Sequence, residues 1–216
     1  MNQIKLFKHP LLNQMIFTNS LVAVSVYFTI SVAVIVLGFT QVGISIVSGM
    51  VVVVVGLQFF TLVEYLVHRF LYHSDDNYAE NRGWQYLVHG IHHVHPKEHG
   101  LLALPIPLAL AVNGLLFFLF WLLLKNYAYF IFPGFLMGYA TQLFIHYRIH
   151  TRKPPKNSFR FFWRHHMLHH YSSEKKAFGV ITSFWDIVFD TMPPKKAVQE
   201  ETEKTKVVQQ AENISQ

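Results

Sequence analysis

Four long apolar stretches constrain the fold of this chain more than any other feature of its sequence. A helix needs about 20 predominantly apolar residues to cross the roughly 30 Å hydrocarbon core of a bilayer. Four stretches come close to or exceed that length, at residues 15–39, 44–67, 101–124 and 127–145. The sequence therefore predicts an all-α integral membrane protein with four transmembrane helices.

The charged residues indicate how these helices are oriented. Only 14% of the 216 residues are charged, and the formal net charge is +6. The turns near 38–43 and 125–127 contain one basic residue between them, and the other basic residues lie in the N-terminus, at 68–100 and from 148 onward. Because basic loops stay on the cytoplasmic side, we expect both termini there, in a bacterial inner membrane or the endoplasmic reticulum. The chain contains no nucleic-acid-binding motif.

Composition also suggests how the chain is divided. Residues 1–192 are predicted to form one membrane domain, and the tail at 193–216, which is rich in Lys, Glu and Gln, is predicted to be disordered.

The sequence contains no cysteine. This absence excludes disulfides, thiolate metal sites and cysteine nucleophiles.

Ten of the 14 histidines fall into four clusters, with the patterns HxxxxH, HxxHH, HxxxH and HxxHH. Residues at i, i+3 and i+4 share one face of a helix, so each HxxHH is predicted to present three imidazoles toward one point. Ten imidazoles are too many for one ion, whereas five each suit two ions of borderline softness. All four clusters lie on the predicted cytoplasmic side. We predict a two-metal site with no catalytic side chains beyond its ligands, which are His68, His73, His89, His92, His93, His146, His150, His166, His169 and His170.

The HxxxxH cluster needs a different local structure from the other three. Five residues rotate an α-helix by about 140° beyond a full turn, so His68 and His73 cannot point the same way on one straight helix. We expect the helix to end near Tyr72 and the following turn at 74–77 to fold His73 back.

Glu64 lies one helical turn before His68, on the same face of an apolar helix. A carboxylate is costly in that environment and is usually paired or functional. We predict that Glu64 accepts a hydrogen bond from a ligand histidine and fixes its tautomer. A salt bridge to Arg69 or to another basic residue is the alternative.

The remaining histidines, His9, His95, His99 and His165, fall outside the four clusters. A single histidine at a membrane interface more often packs or forms a hydrogen bond than binds a metal. His165 adjoins His166 and therefore points about 100° away from it on a helix. We expect none of these four histidines to be a ligand.

The order and spacing of these motifs resemble the fatty acid hydroxylase superfamily, in particular the fatty acid 2-hydroxylases that α-hydroxylate the acyl chains of sphingolipids. The similarity covers roughly residues 55–192 and follows the same order of clusters. Its motifs are EYLVHRFLYH at 64–73, HGIHH at 89–93, HYRIH at 146–150, HMLHH at 166–170, FGVIT at 178–182 and the Trp185-Asp186 pair.

This resemblance implies a four-span helical enzyme with a cytosolic helical cap that holds a ten-histidine dimetal site. It also implies two iron ions, O2, a lipid acyl substrate and an external electron donor. The cytochrome b5 domain often fused to such enzymes is absent here, so we expect a separate carrier such as cytochrome b5 or ferredoxin. A Tyr-Asp pair of the family is replaced by Gln142-Leu143, and a basic residue by Leu101.

The sequence therefore predicts an O2-dependent dimetal hydroxylase that acts on a lipid acyl chain, at C2 of a fatty acid or sphingolipid acyl group. Zinc fits the same ligands, but it is redox-inert and cannot perform this chemistry. A histidine-box desaturase and a sterol or carotenoid hydroxylase are open alternatives. A metal transporter or store is the non-enzyme alternative. Transport would need ligands through the bilayer, whereas the mid-span segments at 51–55 and 115–124 are apolar.

Overall fold

The computed structural model describes residues 9, 17–74, 77 and 83–194. All regular elements within these residues are helices, and the described part of the chain contains no strand, which confirms the all-α expectation. The predicted tail lies outside the described residues except for its first two positions. The α-helices are α1 (Ser20–Val42), α2 (Ile46–Val67), α3 (Ile91–Val94), α4 (Ile106–Leu124), α5 (Ala128–Thr151), α6 (Arg160–Tyr171) and α7 (Phe184–Val188).

Four shorter helical segments complete the described elements. Two are π-helical, with wider turns than an α-helix, at His68–Tyr72 and Tyr86–Gly90. The other two are 3₁₀ turns, at His99–Leu101 and Lys125–Tyr127.

Three stretches of the described chain are long and apolar enough to cross a membrane: Ser20–Val42, Ile46–Tyr72 and His99–Thr151. The third stretch is made of α4 and α5, which the 3₁₀ turn at Lys125–Tyr127 joins. These helices are the counterparts of the predicted spans at 101–124 and 127–145. The chain is a membrane protein, and the number of crossings stays a prediction.

The uncharged turn between α1 and α2 is set by a glycine and a serine. Gly43 follows α1 in the left-handed conformation, with φ 64°, which costs glycine little because it has no Cβ. Two residues later the Ser45 hydroxyl accepts a hydrogen bond from the Ser48 N–H and caps the start of α2. The chain therefore reverses direction here within a few residues.

The chain divides into two compact units, Met1–Thr151 and Arg152–Gln216. In the first unit α5 is the central helix, and α1, α2 and α4 pack against it. Its largest core cluster draws on α1, α4 and α5 and on the segment before α4. That cluster contains Ala23, Tyr27, Ala103, Ala109, Phe132, Leu136, Ala140 and Leu143.

Helices α2 and α5 approach each other closely at two glycines. A Cβ at Gly56 would collide with the carbonyl oxygen of Ile131, and a Cβ at Gly134 would collide with the carbonyl oxygen of Val53. The contacts are reciprocal, so each helix supplies a glycine where the other supplies backbone. Small residues allow this close packing between helices in a bilayer, where dispersion contacts drive association.

Candidate metal centre

The first histidine pair lies on a π-helical turn. Helix α2 continues into the π-helical segment His68–Tyr72, which ends at the residue expected from the sequence. The rings of His68 and His73 lie 5.1 Å apart, centre to centre. In a π-helix the hydrogen bonds run from i to i+5, so residues five apart come close together. The wider helix thus brings His73 back before the expected turn at 74–77, of which residues 75 and 76 lie outside the described residues.

Four histidines of the first unit form one group, which we call group A: His68, His73, His89 and His93. One ring nitrogen of each lies within 4.8 Å of the corresponding nitrogens of the others. The Nε2 atom of His89 is central, at 3.0 Å from the Nε2 atom of His68 and 2.9 Å from that of His93. Two separate segments of the first unit, 68–73 and 89–93, build this group.

Three further histidines of the first unit form group B: His92, His146 and His150. The Nε2 atoms of His92 and His146 lie 2.9 Å apart. The His146 and His150 rings, on successive turns of α5, are 4.9 Å apart, centre to centre. The shared face predicted from HxxxH is therefore present.

The expectation that each HxxHH directs its three imidazoles toward one point is wrong for the first cluster. His89 and His93 belong to group A, and His92 belongs to group B. On an α-helix, the residues at i+3 and i+4 lie on opposite sides of the direction of residue i and diverge by about 100°. One short helical segment therefore serves both groups.

The second unit carries the other HxxHH cluster on α6. The Nε2 atoms of His166 and His170 lie 3.0 Å apart. The His169 ring is 6.0 Å and 5.8 Å from the rings of these two, centre to centre. The i and i+4 histidines thus converge here as they do at 89 and 93. His169 does not belong to their group, so the expectation of three imidazoles directed toward one point is wrong for this cluster too.

His169 is held in one tautomer by the backbone. Its Nδ1 atom lies 2.8 Å from the carbonyl oxygen of Lys176. A carbonyl oxygen only accepts hydrogen bonds, so Nδ1 carries the proton and Nε2 carries the lone pair. Metal-binding histidines are usually fixed in this way by a hydrogen bond from the other ring nitrogen.

Two histidines of group A, His73 and His89, are neutral at ordinary pH. Burial, together with the neighbouring imidazoles of His68 and His93, lowers the pKa of His73 to about 2. Burial and the same neighbours hold the pKa of His89 well below its usual range. Neutral imidazoles are the form that binds a divalent cation. The convergent imidazole nitrogens of both groups fit a transition metal of borderline softness, of which iron and zinc are examples.

Glu64 lies near the end of α2, where its carbonyl oxygen accepts a hydrogen bond from the His68 N–H. Its side chain is half-buried. Arg69, the alternative partner considered for it, donates a hydrogen bond from Nη1 to the Tyr65 hydroxyl at 2.9 Å. The role of the Glu64 carboxylate stays a prediction.

His165 and Asp186 form a buried pair that the sequence did not reveal as one. The His165 Nε2 atom donates to Asp186 Oδ2 at 3.0 Å, and the two side chains are 3% and 0% exposed. Asp186 also accepts hydrogen bonds from the backbone N–H groups of Phe178 and Gly179, each at 2.9 Å, and from the Thr191 hydroxyl at 2.8 Å. One carboxylate therefore ties α6 to the segments on both sides of α7.

The protonation state of Asp186 follows from these four donors. Burial alone would raise the pKa of its carboxyl group. The hydrogen bond and charge of His165, with the donors from Thr191 and Gly179, outweigh burial and hold this pKa below its ordinary value. Asp186 is therefore ionised at neutral pH. The signal in the sequence was the Trp185-Asp186 motif, which gave no indication of its partners.

The similarity of this chain to known proteins covers the residues of this site. A family model described as Fatty acid hydroxylase matches residues 53–191, more than half of the chain. The chain belongs to the fatty acid hydroxylase family. The matched region contains all ten histidines of the four clusters and the His165–Asp186 pair.

Individual members of the family resemble the chain to similar degrees. A dihydroceramide fatty acyl 2-hydroxylase of Arabidopsis thaliana is 36% identical over 155 residues, which cover 69% of this chain and 64% of the relative. A fatty acid 2-hydroxylase of Mus musculus is 35% identical over 150 residues, or 67% of this chain and 40% of the relative. A ceramide very long chain fatty acid hydroxylase of Saccharomyces cerevisiae is 37% identical over 141 residues, or 63% of this chain and 36% of the relative.

A solved structure shows the same fold. It is the structure of full-length scs7p, in which only the hydroxylase domain is visible. The TM-score is 0.76 at 30% sequence identity, and the match covers 85% of this chain and 70% of the other. The chain spans only 36% to 64% of the three relatives named above, so their activities bear on this chain as proposals.

Proposed function

We propose that this protein is an O2-dependent dimetal hydroxylase that adds a hydroxyl group at C2 of a fatty acid or sphingolipid acyl chain. The observation that carries the proposal is the convergence of histidine nitrogens into groups A and B, in a chain of the fatty acid hydroxylase family. The Arabidopsis and mouse relatives are named as 2-hydroxylases, which supports C2 as the position.

We propose that the ten clustered histidines hold two metal ions. Group A supplies four ligands and group B supplies three. The remaining three ligands are His166, His169 and His170 of the second unit, as expected from the sequence. Glu64 is proposed to accept a hydrogen bond from a ligand histidine and not to bind metal itself.

The protein contributes neutrality, burial and orientation at this site. Two iron ions held there would supply the electrons that activate O2 for insertion into a C–H bond. His68, His92 and His146 are 4%, 2% and 5% exposed, so water has little access to these ligands. Because all ten proposed ligands are imidazoles, the cationic centre has no carboxylate ligand to repel the carboxyl end of an acyl chain.

The position of the clusters along the chain supports attack close to the carboxyl end. His68 and His73 follow the end of α2, and His146 and His150 lie at the end of α5. We propose that these ends lie at the cytoplasmic surface, and that an acyl chain enters from the bilayer with its polar head at that surface. The carbons nearest the head group would then lie beside the metals.

The electrons are proposed to come from a separate carrier such as cytochrome b5 or ferredoxin. Both chain termini and the metal centre are proposed to lie on the cytoplasmic side of a bacterial inner membrane or the endoplasmic reticulum. The basic residues that flank the apolar stretches support this orientation.

An acyl chain that carries deuterium only at C2 tests the reaction and its position together. The iron-loaded protein in lipid nanodiscs is given a reductase with its carrier, isotopically labelled O2 and this substrate, and products are analysed by mass spectrometry. Hydroxylation at C2 replaces one deuterium by one labelled oxygen. A product that has lost two hydrogen atoms without gaining oxygen indicates the desaturase alternative, and oxygen elsewhere in the chain contradicts C2.

A flux assay separates the enzyme from the transporter. Proteoliposomes loaded with a metal-sensitive dye report passage of iron or zinc, and the proposal predicts none above protein-free vesicles. The His92→Ala variant serves as the matched control for product formation because it removes one ligand of group B.

A further inference from the structure

The second unit carries an apolar face on its shortest helix. Phe184, Ile187 and Val188 of α7 occupy positions i, i+3 and i+4, which share one side of a helix. Their side chains are 56%, 64% and 52% exposed. These three residues are the α7 face, and large apolar side chains grouped in this way mark a contact site more often than an ordinary surface.

The opposite side of the same helix is fixed. Asp186 lies between Phe184 and Ile187 and is fully buried, with hydrogen bonds from His165, Phe178, Gly179 and Thr191. The orientation of α7 within its unit is therefore set by a buried carboxylate, and its apolar side chains are held outward. A helix that was merely loosely packed would not be anchored by four hydrogen bonds.

Charge favours a lipid surface as the partner of this face. The described residues of the second unit carry seven lysines and arginines against three aspartates and glutamates, and one of those three is the buried Asp186. Arg152, Lys156 and Lys175 are exposed. A basic unit that also exposes an aromatic and aliphatic face has the composition of segments that lie in the interface of a membrane with anionic lipids.

The second unit directly follows an apolar stretch that is long enough to cross a membrane, so a bilayer lies close to the α7 face. The second unit begins at Arg152, the residue after the apolar stretch His99–Thr151 ends. A unit tethered directly to a membrane-crossing stretch stays at the membrane surface, so an interfacial contact requires no additional binding partner.

We infer that the α7 face inserts into the membrane interface and seats the second unit on anionic lipid head groups. The inference does not depend on the metal or on the proposed reaction. The contact would be that of a peripheral segment, with the apolar side chains at the boundary between head groups and acyl chains.

The cysteine-free chain allows a direct test. Ile187→Cys is labelled with an environment-sensitive fluorophore, and the full-length protein is reconstituted in nanodiscs that contain anionic lipid. Ser158→Cys, an exposed and uncharged position in the same unit, is the matched control. Lipids brominated on the upper acyl chain should quench the label at 187 at least about twofold more than the label at 158, since interfacial segments reach that depth.

Two results would overturn the inference. Equal quenching at the two positions, whether strong or weak, would mean that the α7 face has no special contact with lipid. A label at 187 that brominated lipid leaves unquenched but that is shielded from aqueous iodide would mean that protein covers the face, either a second copy or the chain's own tail. Thermal unfolding of both labelled variants, compared with the unlabelled protein, shows that neither substitution disturbs the fold.

Discussion

The Nε2 atoms of His92 and His146 lie 2.9 Å apart, although 54 residues separate the two histidines along the chain. Both side chains are buried. Two buried imidazoles from distant parts of the chain whose Nε2 atoms lie this close can bind one metal ion together, so the pair supports the proposed ligand role of both residues.

Removal of His92 should therefore cost one metal ion and leave the other. We expect His92→Ala to lower the metal content from about two ions per chain to about one, because the ligand is lost from group B and group A stays intact. Elemental analysis of protein purified in lipid measures this directly. His95→Ala, an exposed histidine three residues further on, should keep both ions. Two ions in His92→Ala would exclude His92 from the ligands.

Glu64→Gln tests the predicted role of the carboxylate in positioning a ligand. The amide keeps an acceptor oxygen but loses the charge, so metal affinity should fall by about 10–100-fold without loss of the fold. His68→Ala, which removes a ligand itself, should weaken binding more. Metal titration of the stripped protein, followed by competition with a chelator, measures both. Unchanged affinity in Glu64→Gln would show that Glu64 does not act on a ligand.

Asp186→Asn should loosen the second unit locally. Asparagine has one acceptor oxygen where aspartate has two. Some of the hydrogen bonds donated by His165, Phe178, Gly179 and Thr191 would therefore be lost. Hydrogen bonds to charged groups contribute about 1.5–3 kcal/mol each, and a loss of about 3 kcal/mol corresponds to roughly 100-fold faster amide exchange at 178 and 179. Hydrogen–deuterium exchange with mass spectrometry measures this. Asp190→Asn makes the same charge change at an exposed residue and should leave exchange unaltered.

The same carboxylate predicts a pH dependence. The pKa of Asp186 is lower in the folded protein than its ordinary value of 3.8, so its ionised form stabilises the fold. That stabilisation is fully present above about pH 3.8 and is lost as the pH falls through the lower folded value. Thermal unfolding in detergent at a series of acidic pH values should show a decline that Asp186→Asn lacks. An identical decline in both proteins would contradict the assignment.

Gly56→Ala should destabilise the packing of α2 against α5. The new methyl group would meet the carbonyl group of Ile131, and a backbone atom cannot move aside by a change of rotamer. Overpacking of this kind costs about 1–3 kcal/mol. Gly114→Ala in α4 is the matched control because nothing lies within 4 Å of its added Cβ. Thermal unfolding in detergent should separate the two variants, and equal midpoints would contradict the close approach.

The topology can be checked by labelling single cysteines, because the native chain contains none. Thr40→Cys lies in the uncharged region near the end of α1, and Lys153→Cys lies just after α5. We expect a membrane-impermeant thiol reagent to label the two positions from opposite sides of sealed vesicles. Labelling of both from the same side would contradict the orientation.

The apolar pattern predicted the long helices well and their ends less well. The fourth predicted span stopped at 145, whereas α5 continues to Thr151. Hydropathy falls at His146 because the side chain is polar, but the helix continues because its backbone hydrogen bonds do not depend on that polarity. His146 and His150 are thereby held on the same rigid helix as the apolar core.

The candidate ligands could be named from spacing, but their division between groups could not. Spacing along a helix gives the angle between side chains and not the position of the point they face, which depends on the segments packed nearby. His92 and His93 diverge by about 100°. Only the folded chain shows that His93 belongs to group A and His92 to group B. The partners of Asp186 were not predicted for a related reason, since two of the four are backbone N–H groups that carry no sequence signal.

The π-helical turn at His68–Tyr72 explains why two of the clusters differ in length. Rings five residues apart on that turn are separated by 5.1 Å, and rings four residues apart on the α-helical end of α5 are separated by 4.9 Å. The extra residue in HxxxxH is thus an insertion that the wider winding absorbs. Deleting one residue between His68 and His73 would restore regular α-helical winding and the shorter motif at once. Such a deletion should be tolerated better than an inserted residue between His146 and His150, where no widened turn compensates.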